Sequence, residues 1–132
     1  MIVVLDSAAL SAVARRDRAA HPVLQAILTA DHRVVVPAVV LAEVMTGKPT
    51  DAAVWHVVNR MVVQDVTASI AARAGALRER AAGQRVKKRD LTVDALVAAT
   101  AEALAPSTIV TADAGDLLLL TSDSRVSVAQ LR

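Results

Sequence analysis

The sequence predicts a single α/β domain over residues 1–132, in which a short parallel sheet is flanked by helices. The first observation is a set of short runs rich in β-branched residues, Ile2 to Leu5, Arg33 to Val36 and Thr108 to Thr111. They are nearly continuous in apolar character rather than alternating, the pattern of strands buried on both faces. The second is that these runs are separated by longer stretches with helical spacing, and strands alternating with helices argue for a parallel sheet. The third is size: 132 residues suffice for one hydrophobic core but leave no room for a second.

Each element has its own local reason. Ile2 to Leu5 is the first strand, and Asp6 or Ser7 can cap a helix running to about Arg16. Pro22 suits a first helical turn, and Val23, Leu24, Ile27 and Leu28 follow at helical spacing, the second half of a helical hairpin. Arg33 to Val36 is a strand, after which Pro37 favours a helix that carries Glu43 and runs to Gly47 as its C-cap. Asp51 to Met61 reads as a helix, and Val62 to Val66 as a short strand or a helix end. Thr67 caps a long helix with Ile70, Ala74, Leu77 and Ala81 on one face, and Gly83 ends it. Thr92 caps a helix from Val93 to about Leu104, which Pro106 breaks. Thr108 to Thr111 is a strand, Asp113 to Leu120 a short helix and Val126 to Val128 a last strand.

Composition narrows the chemistry. With no cysteine there is neither a disulfide framework nor a thiolate metal site, so any metal is held by oxygen or imidazole. The longest stretch without Asp, Glu, Lys or Arg, Ala19 to Ala30, contains Pro22 and falls well short of the roughly 18 residues of a membrane span. The first residues, Met1 to Asp6, lack a basic region and meet an acid too early for a secretory signal, so the expectation is a soluble cytoplasmic protein. The formal net charge is +2, and a surface that has lost several acids to one pocket would be more basic than that, suited to a polyanion. Phe and Tyr are absent and Trp55 is the single large aromatic, which argues against a base-stacking platform.

Four carboxylates stand out: Asp6 and Asp113 each directly follow or nearly follow a strand, Asp94 opens an Ala-rich helix, and Glu43 lies among Val39, Val40 and Val44. Each has a local explanation. Asp6 and Asp113 can be N-caps, and Asp94 can answer a helix macrodipole. Glu43, expected to be partly buried on a weakly polar face, can find an Arg from another element. Taken together they point to one place, because ligands of parallel sheets bind beyond the carboxyl ends of the strands, where the chain order reverses. Acids converging there repel one another unless a cation is present, and an all-oxygen set suits magnesium or manganese. Asp116 is a further acid on the last short helix, and Ser7 and Thr111 place hydroxyls beside the first and last strands of the cluster.

Four segments carry a family resemblance: Val4-Leu5-Asp6-Ser7, Val36-Pro37 through Glu43-Val44, Val93-Asp94-Ala95-Leu96-Val97-Ala98-Ala99-Thr100, and Thr111-Ala112-Asp113-Ala114-Gly115-Asp116. In this order, over nearly the whole chain, they resemble the PIN-domain ribonucleases of the VapC toxin type. The resemblance implies a PIN-like three-layer α/β fold, magnesium- or manganese-dependent endonucleolytic cleavage of RNA, a homodimer, and inhibition by a VapB-like antitoxin. It carries the catalytic acids onto Asp6, Glu43, Asp94 and Asp113, with Asp116 as a variable fifth. On that reading Asp6 and Asp94 are the principal metal ligands, Asp113 and Asp116 complete the set, and Glu43 orients or deprotonates the attacking water. Ala8 replaces a frequent second Ser, and Leu117 to Leu120 stand where an aromatic is usual; neither change removes a carboxylate.

Arg85, Lys87, Lys88 and Arg89 form the concentrated basic stretch immediately before the helix of Asp94. It is either a phosphate-binding segment or a solvated loop. His21, His32 and His56 share no metal-ligand spacing, and Trp55 reads as a packing residue among Val54, Val57 and Val58. Phosphoacceptor and Asp-x-Asp phosphatase chemistries fit poorly, since position 8 is Ala and no Lys follows the last core strand. The alternative to a nuclease is a catalytically silent PIN-fold module that binds RNA or protein, against which the retention of all four acids argues.

Overall fold

The β-branched runs form strands as expected, and in a computed structural model describing residues 1–16, 21–29, 31–84, 89–122 and 124–131 they build one sheet. The strands are β1 (Ile2–Leu5), β2 (Arg33–Pro37), β3 (Val62–Gln64), β4 (Ser107–Thr111) and β5 (Val126–Gln130), in the spatial order β3-β2-β1-β4-β5. All four pairings are parallel. Val3, Val4 and Leu5 are all buried, so both faces of the central strand are covered, which is why β1 shows no polar alternation.

The helices are α1 (Ser7–Arg15), α2 (His21–Thr29), α3 (Ala38–Val44), α4 (Asp51–Val58), α5 (Ala68–Ala82), α6 (Thr92–Ala103) and α7 (Gly115–Leu120). Helix α1 packs on β1 and β4 and against α3 and α4, while α6 packs on β2 and β4 and against α3, α5 and α7. Helix α6 can approach the sheet closely because it presents Ala95, Ala98, Ala99 and Ala101, all buried. Helix α5 buries Ile70, Ala74, Leu77 and Ala81, the stripe its spacing predicts, and Arg73 ties it to Glu102 of α6 at 2.8 Å.

Several boundaries differ from expectation. Helix α3 ends at Val44 rather than Gly47, because Asp51 gathers the loop: its carboxylate accepts from the amides of Thr46 and Gly47 and from the Thr46 hydroxyl. Gly47 then takes a positive φ of 75°, open to glycine at no steric cost. Helix α4 stops at Val58, and Val62–Gln64 resolves as an edge strand. At the start of α6 the N-cap position is Leu91, which brings no side-chain acceptor, and Asp90 just before it accepts from the Thr92 amide and hydroxyl, so Thr92 is helical rather than a cap. Trp55 does not serve as core: it is 47% exposed.

Thr67 is a cap as its position implies, its hydroxyl accepting from the Ile70 amide at 3.1 Å. Thr67→Ala is expected to cost about 1 kcal/mol. In a thermal melt this reads as a fall in Tm of roughly 3–5 °C.

Candidate metal centre

The reversal of strand order lies between β1 and β4: from β1 the chain crosses to β2 on one side, while β4 and β5 lie on the other. Leu5 pairs with Val110, so Asp6 and Thr111 emerge side by side at the carboxyl edge, where the Asp6 amide bonds the Val110 carbonyl at 3.3 Å. Asp6 is the N-cap of α1, and its Oδ1 accepts from the Ala9 amide at 2.9 Å. The Thr111 hydroxyl has one proton and two acceptors within reach, the Asp6 carboxylate and the Asp113 carbonyl at 3.1 Å. The expected N-cap is thus real, but it uses one face of a buried carboxyl group. Asp6 is only 7% exposed.

Burial raises the Asp6 pKa above the ordinary carboxylate value. Hydrogen bonds from Thr111 and from the amides of Ala9 and Ala8 oppose the rise, and the charge of Glu43 adds to it. Asp94, in the first turn of α6, is likewise raised, first by burial. The Arg89 guanidinium opposes that rise, and the charges of Asp6, Asp116 and Glu43 reinforce it. Acids that were far apart in sequence therefore feel one another: the strand edge and three helix ends bring them to one place.

Glu43 departs from expectation. It is exposed rather than partly buried, and its partner is no arginine but Ser7, whose hydroxyl donates to Oε1 at 2.5 Å. Ser7 lies in the first turn of α1 directly after Asp6, so one strand-to-helix junction fixes Asp6 and aims Glu43. Asp113 is exposed and precedes α7 rather than opening it; its Oδ1 accepts from the Gly115 amide at 3.2 Å. The turn around it is held by Thr111 and by Gln130, whose Oε1 accepts from the Ala114 amide at 3.2 Å.

Arg89 crosses the space between these groups. Its Nε donates to Asp116 Oδ2 at 2.9 Å and its Nη2 to Asp94 Oδ2 at 2.5 Å. Sequence reasoning grouped Arg89 with Arg85, Lys87 and Lys88 as a phosphate-binding stretch. Those three lie outside the described residues, and Arg89 turns onto the acids. The signal for this was its spacing: Arg89 stands five residues before Asp94, just ahead of the same helix.

The donor chemistry fits a hard divalent cation: every group is a carboxylate or hydroxyl oxygen, and buried Asp6 and half-buried Asp94 are destabilised by desolvation and by like charge, which such an ion relieves. Asp6, Asp94, Asp113 and Asp116 are the residues that would hold it. Among the described residues no three acidic or histidine side chains are drawn together into a ready ligand set. His32 and His56 belong to other parts of the molecule, and His32 Nδ1 is buried without a hydrogen-bond partner among the described residues.

Comparison with known proteins gives a consistent picture of the fold. Comparison with curated proteins finds no match. The complex "VapBC2 from Rickettsia felis bound to a DNA fragment from their promoter" superposes at a TM-score of 0.77 with 16% identity, covering 100% of both chains. VapBC-1 from nontypeable Haemophilus influenzae gives 0.73 with 16% identity and 98% coverage of each chain. FitAcB from Neisseria gonorrhoeae gives 0.70 with 19% identity, covering 96% of this chain and 95% of the other. These identities speak to the fold alone. The PIN domain family model matches residues 3–125, which takes in every acid of the cluster, and the chain belongs to the PIN domain family.

Proposed function

We propose that this chain is a magnesium- or manganese-dependent endoribonuclease that acts as the toxin of a type II toxin-antitoxin pair. The observation that carries the reading is that Asp6, Glu43 and Asp116 all act on the charge of Asp94 at the sheet's switch point, with Asp113 acting on Arg89 beside them, in a chain of a nuclease-bearing family. A bound divalent cation supplies a water acidic enough to attack at neutral pH and charge to offset the phosphate oxygens.

The chain's own groups do the rest. Asp6, fixed by the Ala9 amide and Thr111, and Asp94, at the start of α6, would hold the cation from two different elements. Asp113 and Asp116 approach from the β4-to-α7 turn. Glu43, exposed and held by Ser7, would orient the attacking water or take its proton. Arg85, Lys87, Lys88 and Arg89 would contact RNA phosphates.

The solved structures it resembles include complexes named VapBC and FitAB, which supports a VapB-like antitoxin as partner. Exposed Trp55, Val62, Val63, Val66 and Leu118 support apolar surface covered by another chain, in a homodimer or an antitoxin complex. No described helix is long and apolar enough to cross a membrane, and a cytoplasmic site of action accords with the lack of cysteine.

Incubating purified protein with RNA in magnesium, beside the Asp94→Asn variant, tests the reading. Wild type is expected to fragment the RNA at least about a hundredfold faster, the scale on which groups around a catalytic metal act. Equal survival of RNA with both proteins would instead favour the catalytically silent binding module.

A further inference from the structure

The position of Arg89 has a chemical consequence. Its guanidinium engages Oδ2 of Asp94 and Oδ2 of Asp116 at once, so one planar group bridges α6 and α7 across the mouth of the acidic cluster. A guanidinium on those two oxygens takes up lone pairs and space that a cation bound between Asp94 and Asp116 would use. The charge of Asp113 also bears on it, so Arg89 faces three of the acids assigned to the cation. A guanidinium beside carboxylates stays protonated and brings a fixed charge of one, where a divalent ion brings two in less space.

The segment that presents Arg89 is anchored independently of the acids. Asp90 accepts from the Thr92 amide at 3.0 Å and from its hydroxyl at 2.6 Å. Arg78 on α5 donates to the same hydroxyl at 2.8 Å. The backbone of residues 90–92 is thus pinned to α5, and Arg89 reaches the cluster from a fixed base. Its own side chain is 58% exposed, against 23% for Asp94 and 27% for Asp116. It can therefore swing into solvent without disturbing the core, whereas the acids stay in place.

We infer that Arg89 is an internal counter-ion of the acidic cluster, which competes with a divalent cation for Asp94 and Asp116 and is displaced when the cation binds. The inference rests on the reading of the cluster as a divalent-cation site. Among the described residues the carboxylates act on one another's charge yet do not form a ligand set, and the guanidinium lies on two of them. A displaced Arg89 is then available to an RNA phosphate, the role given to it above.

The test is a titration of the full-length protein with Mn2+ in the absence of RNA, followed by the electron paramagnetic resonance signal of free Mn2+. Arg89→Gln is expected to bind Mn2+ about three- to tenfold more tightly than wild type, the size of effect expected from releasing two partly exposed ion pairs. Arg89→Lys, a point charge without the fork, falls between. Unchanged or weaker binding by Arg89→Gln overturns the inference. In wild type the Arg89 Nε–H resonance is expected to shift towards that of solvated arginine as Mg2+ is added, and a resonance unmoved at saturation overturns it without any substitution. Asp94→Asn separates the two levels of argument. If it loses Mn2+ while Arg89→Gln gains nothing, competition alone fails; if Asp94→Asn binds like wild type, the cation site fails with it.

Discussion

Asp6→Asn is expected to move activity and stability in opposite directions. Under the proposed function, RNA cleavage in magnesium falls by about a hundredfold or more, because the variant loses a charged oxygen proposed to hold the cation. The metal-free protein, in contrast, becomes more stable. Asn keeps the capping acceptor for the Ala9 amide, since Asn and Asp cap helices about equally well. It removes a charge that is 7% exposed and whose pKa is raised by burial and by Glu43. The gain is on the order of 1 kcal/mol, the usual scale of single substitutions, and is read as a Tm higher by roughly 3–5 °C in chelator.

The same shift fixes the sign of the pH dependence. With folded-state pKa values above the unfolded 3.8, Asp6 and Asp94 bind protons more tightly in the folded chain. Their contribution to stability therefore falls as pH rises from 3.8 through the folded values, and is fully unfavourable above them. Saturating Mg2+ reverses the order of the two proteins, because a ligand at a hundred times its Kd stabilises wild type by about 2.7 kcal/mol and the variant by little. A Tm for Asp6→Asn at or below that of wild type in chelator, at pH 7, would refute the account of the buried carboxyl group.

The parts of this site that were legible in the sequence are those that local rules control. Asp6 at the end of β1 and Asp113 after β4 had to share an edge once the strands were parallel and adjacent; the β-branched runs predicted the strands, and their pairing makes them neighbours. The stripe of Ile70, Ala74, Leu77 and Ala81 followed from helical period alone. What was not legible depended on side chains meeting across elements. Glu43 looked half-buried because its neighbours in sequence are valines, yet α3 ends one residue later and leaves it in solvent against Ser7. The early end of α3 comes from Asp51, a carboxylate reaching back across a loop. Arg89 read as part of a basic run, and only the approach of α6 to α7 turned its fork onto two acids. Trp55 failed as a core residue for a related reason: period places residues on a face, but which face is covered depends on what packs there.

Ala98→Leu carries the largest expected loss through the fold. Ala98 is 0% exposed, lies one turn after Asp94 on α6, and belongs to the set of small residues that lets this helix lie close on the sheet. Three added carbon atoms find no space there, and overpacking of this kind costs roughly 1–3 kcal/mol. The corresponding fall in Tm is about 3–10 °C. The same push that loosens the core lifts the start of α6 from the carboxyl edge, so Asp94 moves away from Asp6, whose position between β1 and α1 does not change. The folded fraction of Ala98→Leu is therefore expected to bind Mn2+ at least about tenfold more weakly, since ligand sets tolerate displacement of only about half an ångström. Ala103→Leu is the matching control: Ala103 is exposed on the same helix, and its substitution is expected to stay within about 0.5 kcal/mol with Mn2+ affinity intact. If Ala98→Leu melts like wild type, the close approach of α6 is wrong; if it is destabilised yet binds Mn2+ as tightly, the packing of α6 does not set the position of Asp94.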